Sequence, residues 1–321
     1  MTEILRIENL KKHYIKKKIF TSETSIVKAV DDVSFSVKQG EVFVLAGESG
    51  SGKSTIAKLI LKSIKSDSGK IIFEQQEIDD EKRNLEKIRM NCQMIHQDPY
   101  DSINPRMRIK EIISEPLEIH NKMNKDEINN RVIEVLQEVK LEPAEEISKK
   151  YPHMLSGGQR QRVVLARALA IKPKIILADE PVSMLDVSIR AEILELMREL
   201  QNKFNISFIY ITHDLATAKY FGQSIGILYL GKIVELGPIN QVLDNPKHPY
   251  TQALIDAISE PNPENLFKER IIRIKEVQGS KKIEGCKFRD RCPYEIEKCA
   301  TEPNLEENEK GHYSACHVKI N

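Results

Sequence analysis

The sequence predicts an α/β fold built on a parallel sheet, and three observations carry that prediction. Strand-sized apolar runs at Val42–Ala46, Lys174–Ala178 and Ile206–Thr212 are separated by segments with helical periodicity, the alternation that makes βαβ units. These runs are apolar at successive positions, as strands covered on both faces are. A glycine-rich segment, Gly47–Thr55, joins the first run to a helical pattern, which is the strand, loop and helix order of the P-loop folds.

In chain order, ILRIENLKKHYIKKK reads as an edge strand followed by a basic turn, and the lysines of Lys11–Lys18 as a solvated face. VDDVSFSVKQGEVFVLAG reads as two strands broken at Gln39-Gly40, and IAKLILKSI after the glycine loop as a helix. Ile128, Val132, Leu136 and Val139 recur at helical spacing within Asp126–Val139. Ile189, Ile193, Leu196 and Leu200 form one stripe of a helix over Ser188–Phe204. Beyond Tyr229-Leu230-Gly231 the composition shifts to Pro, Asn, Lys and Glu, and residues 262–285 read as a polar connector. No internal repeat is visible.

With 321 residues, 40% hydrophobic and 30% charged, the chain can bury a sizeable core in about two domains. Only 14 Gly and 14 Pro exclude collagen-like and low-complexity classes. A formal charge of +1 provides no global basic field for nucleic acid. No run nears the ~18 apolar residues of a membrane span, and the N-terminus lacks the apolar stretch of a secretory signal. The expectation is a soluble, intracellular type of chain.

Gly47-Glu48-Ser49-Gly50-Ser51-Gly52-Lys53-Ser54-Thr55 matches G-x-x-x-x-G-K-[ST]. Glycines let backbone N–H groups converge on phosphate oxygens, and the following helix adds its positive end. Lys53 would reach the β and γ phosphates and Ser54 would bind Mg²⁺. Ile175-Ile176-Leu177-Ala178 then delivers Asp179-Glu180 to the carboxyl end of a buried strand, where open α/β sheets bind ligands. Asp179 is the expected holder of Mg²⁺ and Glu180 the general base for water. Ser156-Gly157-Gly158-Gln159 opens another helix and forms a second anion site. One phosphate loop and one such site per chain make sense if two chains meet head to tail, with each ATP between Lys53 of one and Ser156 of the other.

This motif set, in this order, resembles the ATP-binding cassette (ABC) ATPases over about residues 4–260. The resemblance implies a parallel-sheet core, an N-terminal antiparallel sheet and a helical subdomain near residues 98–170. It implies adenine stacking by Tyr14, Mg²⁺ contact and sensing of a membrane partner by Gln97, a D-loop at Ser183–Asp186 and a γ-phosphate switch at His213. QDPYDSINPRM, YPHMLSGGQRQR, DEPVSMLDVSIRAEIL and NPKHPYTQALIDA resemble, more narrowly, the F-type ATP-binding subunits of oligopeptide and dipeptide importers. Met184, His96 and Ser51 depart from the common Ala, Phe and Cys without removing a chemical group. The resemblance implies a D-type ATPase partner, two membrane-spanning permeases, an indirectly coupled substrate-binding protein, and a site at the cytoplasmic face of the membrane. A nickel or other small-solute importer is the neighbouring alternative. A soluble, non-transport ABC ATPase acting on nucleic acid or ribosomes is the rival of another class.

Cys286, Cys292, Cys299 and Cys316 crowd into the region 261–321, which reads as a separate small extension, whereas Cys92 stands alone and reads as a buried apolar residue. Disulfides suit a cytosol-facing ATPase poorly. Intervals of five, six and sixteen residues leave zinc, with help from His312 or His317, and an iron–sulfur cluster both open. The importer resemblance, through GCKFRDRCP, implies a [4Fe-4S] cluster on the four cysteines, although the Pro-rich lead-in is replaced here by QGSKKIE.

Overall fold

The computed structural model describes residues 2–17, 24–120, 123–257, 274–275 and 284–319. Most of the connector read at 262–285, the boundary at 260/261 and Lys18 lie outside the described residues. Among the described residues, twelve strands form two sheets: β1 (Glu3–Lys17), β2 (Thr24–Lys38), β3 (Val42–Ala46), β4 (Ser68–Phe73), β5 (Gln76–Glu77), β6 (Cys92–Ile95), β7 (Ile175–Asp179), β8 (Ser207–Thr212), β9 (Ser224–Tyr229), β10 (Lys232–Pro238), β11 (Glu306–Glu309) and β12 (His312–Ser314).

The larger sheet has the order β11-β12-β10-β9-β3-β8-β7-β6. Its β9, β3, β8, β7 and β6 pair in parallel. Alternation across the pleat sends Val42, Val44 and Ala46 into one core, while Phe43 and Leu45 enter the other. The first core lies against helices Ile109–His120, Lys125–Glu138, Gly157–Leu169 and Val187–Phe204. The second is closed by helix Lys53–Ile60 and the antiparallel sheet β2-β1-β4-β5. Helix Lys125–Glu138 starts with a complete capping box between Asn124 and Glu127, which satisfies backbone donors at its first turn.

Two expectations need correction. Strand β1 is central, between β2 and β4, and the basic residues through Lys17 continue the strand. Lys12 is paired with Asp67 at 2.8 Å, so part of the cluster is held by acidic neighbours along the ladder. The Cys-rich region also contributes to the main sheet, because β12 adds to β10 with Glu235 opposite Ser314 and Leu236 opposite Tyr313.

A buried polar knot fixes that addition. The Glu235 carboxylate is fully buried, accepts the backbone N–H groups of Lys247 and His248 (2.6 and 3.0 Å), and stands 2.7 Å from His312 Nε2. His312 Nε2 is therefore turned to Glu235, and His317 Nε2 faces the Thr301 carbonyl at 3.1 Å. His248 caps helix Pro249–Asp256 by accepting the Tyr250 N–H on Nδ1 at 3.0 Å.

Burial pushes the His248 pKa down from 6.5 to about 3. Between those values the unfolded chain binds the proton that the folded chain refuses, so folding stability falls as pH drops through this window. The denaturation midpoint should therefore decrease from pH 6.5 toward 3. His248→Asn, whose side-chain oxygen can still cap the helix, should reduce that slope in chemical denaturation series.

Candidate functional site

The phosphate loop leaves β3 where only bare backbone fits. Gly47 and Gly52 have φ of 149° and 111°, and a Cβ on either would stand 2.2 Å from the Leu228 carbonyl oxygen or 2.1 Å from that of Ala29. Lys53 is buried, and its Nζ donates to the Gly47 and Glu48 carbonyls, both at 2.8 Å. Ser51 is buried behind the loop, where its carbonyl accepts the Gly231 N–H at 2.8 Å. Burial lowers the Lys53 pKa, opposed by the carboxylates of Glu180, Asp179 and Glu48.

The loop forms one wall of a cleft of about 880 Å³. Gly47, Glu48, Ser49, Gly50, Gly52, Lys53, Ser54 and Thr55 line it together with Gln97, Asp179, Glu180 and His213. Four separated stretches of sequence thus meet at the carboxyl ends of β3, β6, β7 and β8, as open parallel sheets require of a ligand site.

Burial raises the Asp179 pKa against the Ser54 hydroxyl, which acts on the carboxylate and favours its charged form, and the neighbouring Glu180 charge adds to the rise. This hydroxyl and carboxylate are oxygen donors of the kind Mg²⁺ takes, and with Lys53 and the loop amides they fit a magnesium nucleoside triphosphate. His96 lies close enough to Asp179 to feel its charge, and burial lowers its pKa.

Glu180 is held from two sides. Gln97 Nε2 donates to Oε2 at 3.0 Å, and His213 Nδ1 stands 2.9 Å from Oε1. The backbone of Glu180 is left-handed, with φ of 48°, an unusual state for a residue with a Cβ. Its N–H donates to the Ile211 carbonyl at 2.9 Å, and its carbonyl accepts the Ser183 hydroxyl at 3.0 Å. This turn swings the carboxylate out of β7 and into the cleft.

Ser156, Gly157, Gly158 and Gln159 stand outside the cleft of their own chain. Ser156 caps helix Gly157–Leu169, with Gln159 completing a capping box. A Cβ at Gly158 would meet Ile189 at 2.7 Å, so that glycine also lets two helices approach. Asp186 stands at the N-cap of helix Val187–Phe204 without making a side-chain cap.

Tyr14 is absent from the cleft wall. It is 40% exposed on β1 opposite Val27, and cross-strand partners share a face, so Val27 of the nearer strand lines the cleft and Tyr14 lies one strand farther out. Sequence reasoning missed Ile26, Val27, Lys28 and Ala29, which β2 brings to the cleft, along with Leu230, Leu254 and Lys287. It also missed Tyr250, whose hydroxyl accepts the Glu48 N–H at 2.8 Å, and Arg291, which binds the Glu48 carboxylate through two contacts of 3.0 Å. Tyr250 lies in HPYTQAL and Arg291 in GCKFRDRCP, both quoted above for resemblance, but neither string says what its residues touch.

The four C-terminal thiols feel one another electrostatically. Burial raises Cys316 to about 11, with Cys286, Cys292 and Cys299 adding to the shift. It also raises Cys286 and Cys292. Among the described residues, no group of three or more His, Cys, Asp or Glu is placed to hold a metal ion. Cys92 is fully buried in the second core, and burial pushes its pKa up strongly.

Comparisons with known proteins agree with this geometry. The ABC transporter family model matches residues 30–183, and the model for the oligopeptide/dipeptide transporter C-terminal region matches residues 234–299. The chain is 41% identical to the oligopeptide transport ATP-binding protein AppF of Bacillus subtilis (strain 168), covering 98% of this chain and 97% of that protein. It is 41% identical to the probable peptide ABC transporter ATP-binding protein y4tS of Sinorhizobium fredii, covering 98% and 90%. Among solved structures, cbiO1 of Clostridium perfringens, part of the ABC transporter complex cbiONQ, aligns with a TM-score of 0.66 and 27% identity over 76% of this chain and 92% of that one. The ATP-binding cassette MJ0796, in a dimeric state bound to ADP and Pi, aligns with a TM-score of 0.63 and 30% identity over 74% and 99%. The chain belongs to the ABC ATPases, among the ATP-binding proteins that carry the oligopeptide/dipeptide transporter C-terminal region.

Proposed function

We infer that this chain is the ATP-hydrolysing subunit that powers import of oligopeptides or dipeptides through a membrane ABC transporter. The observation that carries the reading is the convergence of Lys53, the Ser54–Asp179 pair and the doubly held Glu180 in one cleft, on a chain related along its length to peptide-transport ATP-binding proteins. Among the described residues, no helix is long and apolar enough to cross a membrane, so permease partners supply the path and this subunit works at their cytoplasmic face.

Lys53 and the loop amides bind the β and γ phosphates, and Ser54 and Asp179 hold Mg²⁺. Glu180 accepts the proton of the attacking water, while His213 and Gln97 set its orientation. Mg²⁺ supplies charge neutralisation on the phosphates when bound. Ser156, Gly157, Gly158 and Gln159 serve the nucleotide of a partner ATPase. That assignment is supported by their position outside their own cleft, at a helix N-terminus. The partner is a D-type paralogue. The chain divides into a nucleotide-binding domain over 4–260, with its helical subdomain at about 98–170, and a C-terminal extension over 261–321 whose β12 joins the domain's main sheet.

The second part of the proposal places a [4Fe-4S] cluster on Cys286, Cys292, Cys299 and Cys316, with zinc as the alternative. Four thiols gathered in a segment with few large apolar residues support it, because a bound cation would neutralise thiolates that burial otherwise keeps protonated, and ligation would order the segment. Binding would require the thiolates to close in around the metal.

Glu180→Gln should bind ATP yet lower turnover by about 10²–10⁴-fold, measured as phosphate release by the assembled transporter. Ser156→Ala with Gly157→Ala should slow hydrolysis by about 100-fold while leaving ATP binding to the isolated chain nearly intact, whereas Lys53→Ala should weaken binding itself. Equal losses of nucleotide affinity would contradict the shared site. Anaerobically purified protein should be brown and carry about four iron atoms per chain, lost on Cys→Ser at any of the four positions and retained in Cys92→Ser. Stoichiometric zinc without iron or sulfide would select the alternative.

A further inference from the structure

Glu48 is an acidic residue inside a loop built to receive a polyanion. Glu48 lines the cleft, and its carboxylate acts electrostatically on Lys53, the cation that the phosphates need. Left alone, a carboxylate there would repel a triphosphate and compete for the lysine. It is met instead by Arg291, whose Nη1 and Nη2 each lie 3.0 Å from a different Glu48 oxygen, the two-pronged geometry that a guanidinium makes and an ammonium does not.

Arg291 is itself held by packing. Its guanidinium lies 5.8 Å from the Tyr229 ring centroid and 5.7 Å from that of Phe288. Tyr229, Tyr250 and Phe288 pack on one another with centroids 4.5 to 5.5 Å apart. The Tyr250 hydroxyl accepts the Glu48 N–H, and the Glu48 carbonyl accepts from Lys53. The Glu48 carbonyl also accepts the Ser51 N–H at 3.2 Å, so every polar group of Glu48 is spoken for, and two of its four partners come from beyond residue 249. Four residues before Arg291, Lys287 lines the same cleft, with Nζ donating to Asp31 at 3.0 Å and to the Leu230 carbonyl at 2.7 Å.

We propose that the Cys-rich extension is a working part of the nucleotide site, and that Arg291 is a positioning residue which neutralises Glu48 and holds it off the phosphates. The inference rests on ATP binding in this cleft and does not depend on which metal, if any, the four thiols take. Since Arg291 directly precedes Cys292, order in the thiol segment is passed to the phosphate loop through one side chain.

The test is equilibrium binding of a fluorescent trinitrophenyl-ATP with Mg²⁺, together with steady-state ATPase kinetics, on the assembled transporter. Arg291→Gln should weaken binding and raise KM by about tenfold, the size of one unit-charge repulsion across a partly wet cleft, with kcat changed by less than about twofold. The double variant Arg291→Gln with Glu48→Gln should recover at least about half of that loss on a logarithmic scale, because the offending charge leaves with its counter-charge. A purely structural clamp would make the double variant as weak as the single or weaker. Arg289→Gln, which removes a nearby cation paired with Glu295, serves as the control and should bind like the parent. Parental affinity in Arg291→Gln, or a double variant no tighter than the single, overturns the proposal. If Arg291→Gln fails to assemble, the double variant decides alone: it must assemble and bind within about threefold of the parent, the same half-recovery, and failure overturns the proposal as well.

Discussion

A Cβ on Gly47 or Gly52 would collide with a backbone carbonyl of another strand, β9 in one case and β2 in the other. The phosphate loop is therefore set by contact of main chain against main chain, and β2 and β9 belong to different sheets. To keep those carbonyls in place, the antiparallel sheet must pack on the parallel one, and the second core does this with Ile7, Val33 and Phe35 against Leu45, Ile209 and Leu228. Phe35 and Phe43 stack at 4.7 Å between the two layers. Loss of packing far from the cleft would thus reach the phosphates through the loop's shape, before any functional side chain had moved.

Within that frame the charged groups restrain one another. Lys53 is buried among loop carbonyls, and Asp179 and Glu180 stand side by side at the end of β7. Burial drives Lys53 and Asp179 toward their neutral forms, while the opposite charges across the cleft resist this. Glu180 accepts a left-handed backbone to reach its place, a local cost that the bonds to Ile211 and Ser183 offset.

Much of this was legible in sequence because it is local. Val42–Ala46 running into Gly47–Thr55, and Ile175–Ala178 into Asp179-Glu180, specify buried strands that end at a site, and the helix read over Ser188–Phe204 forms with Ile193, Leu196 and Leu200 buried. What was not legible depends on distant pairing. Nothing in ILRIENLKKHYIKKK reveals that β4 will cover its second side, so a central strand read as an edge. The fork between Arg291 and Glu48 spans 243 residues, and no spacing rule reaches across that gap. Tyr14 illustrates the converse: its motif position resembled an adenine platform, but the ladder register places Val27 nearer the cleft.

The C-terminal hairpin has a further effect on the larger sheet. Strand β10 would otherwise offer a row of free N–H and C=O groups, the template on which sheets of separate molecules stack. Strand β12 occupies that row, and the new boundary is β11, whose Glu306, Glu307, Asn308 and Glu309 are all exposed. Three carboxylates on four residues repel any identical ribbon that approaches. The sheet thus ends in a self-repelling margin that opposes edge-to-edge pairing with a second copy.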